Sequence, residues 1–371
     1  MERELGSKPF FQCGTVSDMK AYPVNAIPAV ARLANGKLLA VWNVRLDPKV
    51  SRIVDAFSSD NGATWSTPRT FVEKTEADAA FYIGDPCLLV TPSGKVILFY
   101  VHWRSLKDSR IAWRESLDNG KTWGPAVKVE TGHKYNDLNR NGIVLSDGKT
   151  LIQGFSWEKR ADRGEEPLGE TDQLYACSIL RSTDDGETWG KGGDIIFDEA
   201  TGVDEPTVVE LANGDIYMLM RSGVGQLCQA TSGDKGETWT KATATTLCSP
   251  NAPAMLYRLS SKPSKVLVVW DNSPPAGRWI APGKVEGTIH GPRYPLDVAI
   301  SYDDCKTWSY LRTLANPGRQ VSYPSVTLTS EGHILAVWQE VMAESNRRDI
   351  KYAKFNEEWI KAGVPRKAKS E

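Results

Sequence analysis

One eight-residue signature occurs five times in this chain: Ser-x-Asp-x-Gly-x-Thr-Trp. It reads SSDNGATW at Ser58–Trp65, SLDNGKTW at Ser116–Trp123, STDDGETW at Ser182–Trp189, SGDKGETW at Ser232–Trp239 and SYDDCKTW at Ser301–Trp308. Successive aspartates are 50 to 69 residues apart. A repeat at that period means that a structural unit has been multiplied, so it constrains the fold before any single residue does. Each copy is a turn, a Ser/Asp/Asn/Gly cluster between apolar segments, closed by a Thr-Trp able to pack between sheets. The fifth copy carries Cys305 in the glycine position. That turn has to form without the residue that accepts positive φ freely.

A second periodic element precedes the first. A glycine turn leads into a β-rich apolar run in NGKLLAVW at Gly36, SGKVILFY at Gly94, DGKTLIQGF at Gly148, NGDIYMLM at Gly214 and EGHILAVW at Gly332. SKPSKVLVVW (Ser261–Trp270) has the same run with Lys-Pro-Ser in place of the glycine turn. Each hairpin would follow a first strand such as AVARL, CLLV, TVVEL or SVTL. Six units in 371 residues allow about 62 residues each, enough for four short strands and their connections. Helical periodicity of useful length is nearly absent. The expectation is an all-β chain, a six-bladed β-propeller with four-stranded antiparallel blades, forming one domain over residues 1–371. Residues 1–20 would be an N-terminal arm or ring closure, and 360–371 a C-terminal tail. The sixth blade would close with DIKYAKF (Asp349–Phe355) or with N-terminal residues.

Composition fits one globular body. Net charge is −1, and no block of like charges suggests nucleic acid or an anionic membrane as a partner. No apolar run approaches the ~20 residues of a membrane-spanning helix. Met1-Glu-Arg-Glu-Leu is charged, so no signal peptide is expected; the chain would be secreted or periplasmic if a leader has been removed, and cytoplasmic otherwise. The six cysteines lack Cys-x-x-Cys spacing and the four histidines lack ligand spacing. Free buried thiols, no metal and no cofactor are expected. Nothing in the sequence sets an oligomeric state.

Function in such a ring belongs at the mouth of the central channel, where the innermost strands begin. Proline is tolerated at a strand's first residue and disposes its predecessor to extended backbone. The pairs Ile27-Pro28, Asp85-Pro86, Glu205-Pro206, Ala252-Pro253 and Tyr323-Pro324 mark five such starts; the third unit offers Asn139, Arg140 and Asn141. Convergence on one axis would bring Asp85, Glu205 and Tyr323 together, with Asn25, Asn141 and Asn251 nearby. Alternatively, these polar groups line a wet channel and bond one another.

The five turns are Asp boxes, and over almost its whole length the chain resembles the bacterial-neuraminidase-repeat proteins of the sialidase superfamily. EP, RYPL, SYPS and RRDIKYAKF make it most similar to the predicted-neuraminidase branch. The boxes lie on the outside of the blades in that family, and no catalytic role is expected of them. The resemblance implies an arginine triad for a substrate carboxylate, a tyrosine nucleophile paired with a glutamate, and an aspartate acid/base on a loop. DEPTVVELANGDIYMLMRSGVG matches the glutamate-to-arginine stretch, implying Glu205 and Arg221 in those roles. GPRYPLDVAISYDDCKTW implies Arg293 as a second triad member, and VSYPSVTL implies Tyr323 as the nucleophile. VWNVRLDPKVSRIVDAF implies Arg45 as a binding residue and Asp47 as the acid/base, with Asp55, inside a strand, less suited. The chemistry is coherent. A guanidinium fork matches a carboxylate, and a neutral tyrosine escapes the repulsion that a carboxylate nucleophile would meet at an anomeric carbon bearing its own carboxylate.

The chain departs from the family at AYPVNAIPAV, where Ala26 stands in place of the triad's first arginine. Asn25 beside it is uncharged and cannot clamp a carboxylate as a guanidinium does. Either Arg45, Arg140 or Arg104 fills the gap, or the ligand is not an ordinary sialoside. Two long insertions, Trp157–Gln173 and Asp271–Pro292, would shape the rim. Trp103, Trp157 and Trp279 are either sugar platforms or blade packing, and His102 and His290 are candidates for proton transfer. Three functions remain open: a retaining exo-glycosidase removing a terminal acidic sugar from a glycan, a glycosidase or lyase acting on another uronic or deoxy sugar, and a noncatalytic glycan-binding propeller. The substrate-binding set for the first is Arg221, Arg293, Arg45, Asp85, Asn25 and Trp279.

Overall fold

The computed structural model describes residues 8–47, 50–73, 82–105, 107–138, 140–165, 174–198, 202–274, 278–281, 284–286, 291–341 and 347–363, with side chains at 46–50 and 278–286 excluded. The architecture is all-β. Two one-turn helices, Lys159–Arg163 and Glu357–Lys361, are the helical segments among the described residues.

The strands fall into antiparallel groups in chain order. Val24–Arg32, Leu38–Asp47, Val50–Ser58 and Arg69–Glu73 pair in sequence, as do Tyr82–Val90, Val96–Ser105, Asp108–Ser116 and Val127–Lys128. Next, Asn136–Asp137 and Ile143–Val144 both pair with Leu151–Glu158, followed by Tyr175–Ser182 and Gly190–Lys191. Val203–Glu210 to Thr243–Cys248 form a four-stranded sheet, and Met255–Ser261, Ser264–Asp271, Leu296–Ser301 and Ser309–Ala315 another. The hairpin Arg278–Ala281/Lys284–Glu286 is inserted in the latter. Val321–Leu328, Ile334–Val341 and Arg348–Phe355 come last, and Phe11–Ser17 adds itself outside Arg348–Phe355. Both chain ends thus share one group, so DIKYAKF and the N-terminal segment close it together. A parallel contact, Val24 opposite Arg348, joins the last group to the first.

Apolar side chains sit between neighbouring groups. One cluster joins Leu39, Val41 and Ile53 to Leu88, Leu98 and Tyr100. Another joins Leu38, Ala40, Trp42 and Val44 of the first group to Leu335, Val337 and Tyr352 of the last. The tryptophans of the repeated turns (Trp65, Trp123, Trp189, Trp239 and Trp308) each pack on one of these clusters. Within a turn, Asp118 accepts from Ser116 Oγ (2.8 Å), Thr122 N (2.9 Å) and Thr122 Oγ1 (2.7 Å), while Ser116 Oγ accepts from Gly120 N (2.8 Å). Cys305 adopts φ 66° and its N–H keeps the same bond, to Ser301 Oγ at 2.8 Å. The turn's own hydrogen bonds therefore hold a non-glycine residue in the left-handed region. The six cysteines are free thiols, but Cys13 is exposed and Cys248 half-buried, against the expectation that all would be buried.

First strands pack on one another around the molecule: Val24–Arg32 against Tyr82–Val90 and Val321–Leu328, and Met255–Ser261 against Val203–Glu210 and Val321–Leu328. Their inner edges have backbone groups without a sheet partner, which must be bonded otherwise. Side chains do this: Ser325 Oγ accepts from Val30 N (3.1 Å), Thr207 Oγ1 from Leu256 N (3.1 Å), and Asn141 bridges Leu88 N (2.9 Å) and Val30 O (2.8 Å).

Ala252-Pro253 lies just ahead of its strand, Met255–Ser261, but the other four X-Pro pairs do not begin theirs, and their first residues are not extended. They interrupt the strands at register slips, between Ala26 and Ala29, Gly84 and Cys87, Asp204 and Thr207, and Ser322 and Ser325. Ile27, Asp85, Glu205 and Tyr323 have φ of 52°, 55°, 43° and 58°. Tertiary register overrides the local preference, at a cost of about 1–3 kcal/mol for each non-glycine residue so held. The slip is a bulge, which re-aims a side chain. Four equivalent bulges place Ile27, Asp85, Glu205 and Tyr323.

Candidate active site

Tyr323 and Glu205 meet. The phenol donates to Glu205 Oε1 at 3.1 Å, and Arg221 Nη1 donates to Glu205 Oε2 at 2.8 Å. Asn251, itself at φ 54°, accepts Arg221 Nε on Oδ1 (2.9 Å) and Arg293 Nη2 on its backbone carbonyl (3.1 Å). The guanidinium carbons of Arg140 and Arg293 lie 5.4 and 5.6 Å from the Tyr323 ring centroid, within cation–π range. Arg140 is buried and its Nε donates to Ala254 O at 2.7 Å.

These charges set the protonation states. Burial pushes the Glu205 carboxyl up, but Arg221, Arg140 and Arg293 outweigh it and hold Glu205 below the usual carboxylate range. Burial, and then the Glu205 charge, push the Tyr323 phenol up to about 12, with Arg293 and Arg221 opposing. At neutral pH the pair is therefore a neutral phenol hydrogen-bonded to a carboxylate. That is the polarity needed to pass a proton from tyrosine to glutamate.

A second wall is acidic. Asp85 accepts from Tyr82 Oη (3.2 Å) and Asn43 Nδ2 (3.4 Å), and its N–H donates to Asn43 Oδ1 (3.0 Å). Gly84 makes room for this, since a Cβ there would lie 2.2 Å from Tyr82 Oη. Arg45 lies over the Tyr82 ring at 4.7 Å. Burial, followed by the charge of Glu205, raises Asp85 to about 7. Asp204 accepts from Ser156 Oγ (2.5 Å) and Glu205 N (2.7 Å), and burial followed by Glu205 raises it to about 6. Asp137 is pushed well up by burial and then by Asp85. Asp137, Asp204 and Glu205 bring one oxygen each within 4.8 Å of one another, a spacing a cation could bridge, but Arg221 already occupies Glu205.

Of the residues named from sequence, Tyr323, Glu205, Arg221 and Arg293 stand together, with Asp85 acting electrostatically on both Glu205 and Tyr323. Asn25 does not join them. It is buried, with Oδ1 accepting from Trp42 Nε1 (2.8 Å) and Ser17 Oγ (3.1 Å), and Nδ2 donating to Tyr22 O (2.7 Å) and Arg348 O (2.9 Å). Its amide is spent inside the fold and leaves no atom for a ligand. Asn141 is likewise a strand bridge. Asp55 is buried against Arg69 Nη2 at 2.6 Å, and Arg104 pairs with Asp108 at 3.6 Å. Trp157 is core: it stacks on His133 at 3.8 Å and donates to Asp194 at 3.0 Å. Trp103 is half-buried, edge-on to Tyr82, and His102 is tilted against Tyr100. Asp47 ends its strand opposite Val50, and Trp279 opposes Val285 in the inserted hairpin, but both side chains lie outside the described ones, as do Asn139 and His290 altogether.

Sequence reasoning missed Asn251 as the shared anchor of two arginines, Asp137 and Asp204 on the acidic wall, and Arg348. It also missed Asp271, fully buried beside Arg293 and Arg140 with neither carboxyl oxygen hydrogen-bonded, whose pKa burial raises well above the usual range. Asp204 was readable, since it adjoins Glu205 in DEPT.

The BNR repeat-like domain family matches residues 36–336. A sialidase of Paraclostridium sordellii is 29% identical over 240 residues, covering 57% of this chain and 56% of that protein. A sialidase of Bacteroides fragilis is 24% identical over 364 residues, covering 88% of this chain and 61% of that protein. The chain thus spans less than two thirds of the length of these relatives. In three dimensions it is similar to the intramolecular trans-sialidase of Ruminococcus gnavus, solved in complex with oseltamivir carboxylate, with a TM-score of 0.70 at 15% identity over 95% of this chain and 98% of that one. That likeness is one of fold. The match over residues 36–336, together with these relatives by sequence, means that this chain belongs to the BNR repeat-like family of the sialidase superfamily.

Proposed function

We propose that this protein is a sialidase-like retaining exo-glycosidase that removes a terminal acidic sugar, sialic acid or a related keto-acid sugar, from a glycan. The carrying observation is the 3.1 Å hydrogen bond from Tyr323 to Glu205 beside Arg221 and Arg293. The scaffold of this reading is a single six-bladed propeller in which each group of strands is one blade and the repeated turns are its Asp boxes.

In this mechanism the sugar carboxylate lies against the guanidinium groups, which hold it by paired N–H donors. Tyr323 Oη attacks the anomeric carbon and passes its proton to Glu205, while the bond to the leaving oxygen breaks. The arginines that keep Glu205 ionised also offset the charge growing on the phenol oxygen. Asp47, the last residue of the strand Leu38–Asp47, protonates the leaving oxygen and then activates the water that cleaves the glycosyl–tyrosine bond. Inversion at each displacement gives overall retention.

Ala26 favours a second reading, hydrolysis or elimination at another uronic or deoxy sugar, because the family's first arginine is missing. Incubation with 4-methylumbelliferyl α-N-acetylneuraminide and with a panel of uronate glycosides separates the two. Fluorescence release, with the first-formed sugar retaining its anomeric configuration by NMR, supports the first. An unsaturated uronate product seen by ultraviolet absorbance supports the second and contradicts the first.

A further inference from the structure

Beside Ala26 the fold supplies an arginine from the other end of the chain. Arg348 opens the strand Arg348–Phe355 and stands opposite Val24 in the parallel contact that joins the last group of strands to the first. Its carbonyl accepts from Asn25 Nδ2 at 2.9 Å, which fixes its backbone against the segment that contains Ala26. Its Nη1 donates to Gln339 Oε1 (3.4 Å), the same oxygen that accepts from the N–H of Ile27 (3.1 Å). Gln339 Nε2 donates in turn to Ser322 Oγ (3.0 Å), next to Tyr323. One glutamine side chain therefore ties together Arg348, the backbone that follows Ala26 and the residue that precedes the tyrosine.

The charge of Arg348 is felt by Tyr323 and Tyr82 and opposes those of Arg45 and Arg293. Burial, the first cause, lowers its own pKa. Like-charged guanidinium groups in a partly desolvated place repel one another, and an anion entering between them relieves that repulsion. A carboxylate is a matching anion, because it accepts parallel N–H bonds from a planar fork.

We propose that Arg348 takes the place of the arginine missing at Ala26, completing with Arg221 and Arg293 a three-sided clamp for the carboxylate of the sugar. The clamp is thus contributed in part by the strand that closes the molecule. The inference rests on the acidic-sugar reading above and assigns Arg348 a binding role.

The test is calorimetric binding of 2-deoxy-2,3-dehydro-N-acetylneuraminic acid and its methyl ester to the full chain and to Arg348→Gln, Arg348→Lys and Arg221→Gln, with melting curves for each. The unsubstituted protein is expected to prefer the acid by roughly 30-fold or more. Arg348→Gln should lose at least about tenfold on the acid and little on the ester, with Arg348→Lys in between because it keeps the charge without the fork. Equal losses on acid and ester mean a structural role and overturn the inference, as does full acid preference in Arg348→Gln when Arg221→Gln has lost it. In that last case the acidic-sugar reading survives. If Arg348→Gln does not fold, Arg348→Lys decides, and wild-type acid preference in it overturns the inference. An unsubstituted protein that binds acid and ester alike overturns the acidic-sugar reading itself, and the inference with it.

Discussion

The Tyr323 hydroxyl donates to Glu205 Oε1 at 3.1 Å although 118 positions separate the two residues, and both hold positive φ at the same kind of bulge. The strained backbone and the hydrogen bond belong to one arrangement. Each bulge turns its side chain out of the strand's alternation toward the other first strands.

Tyr323→Phe should reduce kcat by at least ~10³-fold while costing only about 1 kcal/mol of stability, because Glu205 keeps its bond to Arg221. Glu205→Gln should also lose ~10²–10⁴-fold in rate, but it removes the buried anion that pairs with the half-buried Arg221 and should cost about 3–5 kcal/mol. Parallel kinetics and urea titrations check the contrast. Equal destabilisation by the two substitutions would contradict it.

Asp85 makes stability depend on pH. Its folded pKa is about 7, against ~3.9 for an unfolded aspartate. Between those values the native state binds more protons than the unfolded state, so this group's contribution to stability falls as pH rises through the window. Asp85→Asn keeps an acceptor for Tyr82 and Asn43 and removes the charge. Its Tm should exceed that of the unsubstituted protein at pH 8, by an amount worth a few kcal/mol at most, and the gap should close near pH 4. A gap independent of pH would show that the charge is not the cause.

The turn aspartates behave in the opposite sense. Asp60, Asp118, Asp184 and Asp234 are held at about 2, chiefly by the threonine hydroxyl of the same turn. Their contribution is present above the unfolded pKa of ~3.9 and is lost as pH falls through about 2. Asp184→Ala should cost about 1 kcal/mol at pH 7, the usual worth of a side chain that bonds turn N–H groups, and leave kcat/KM unchanged. A large loss of activity in a folded variant would mean that these turns carry chemistry after all.

Glycines in these units differ in what surrounds them. Gly236 (φ 87°) would place a Cβ 2.1 Å from Ile179 Cδ1, whereas Gly214 (φ 90°) has nothing within 4 Å. Both alanine substitutions incur the left-handed penalty of about 1–2 kcal/mol. Gly236→Ala should cost about 1–3 kcal/mol more, because buried Ile179 must move. Denaturant midpoints for the two variants measure the difference, and equal midpoints would contradict it.

Much of this was legible in the chain. The repeated turns and glycine hairpins located the strand pairs, and X-Pro dipeptides pointed at Asp85, Glu205 and Tyr323. The conformation of those residues was not legible, because proline's local effect favours extended backbone and a register slip imposed by the neighbouring strand prevails. Asn25 looked available because its partners Trp42, Ser17 and the Arg348 carbonyl come from three different strands. Arg348 escaped notice for a related reason. It lies 322 positions from Ala26, and only the closure of the last group onto the first brings the two segments together.

The central claim is that Tyr323 is the nucleophile of an acidic-sugar hydrolase, and covalent trapping tests it most directly. The full chain and Tyr323→Phe are incubated with 2,3-difluorosialic acid and analysed by intact-mass and peptide mass spectrometry. The account predicts a single glycosyl adduct on the peptide that contains Tyr323, absent from Tyr323→Phe. An adduct on another residue, an adduct that persists in Tyr323→Phe, or turnover of sialosides by the phenylalanine variant at the unsubstituted rate would contradict it.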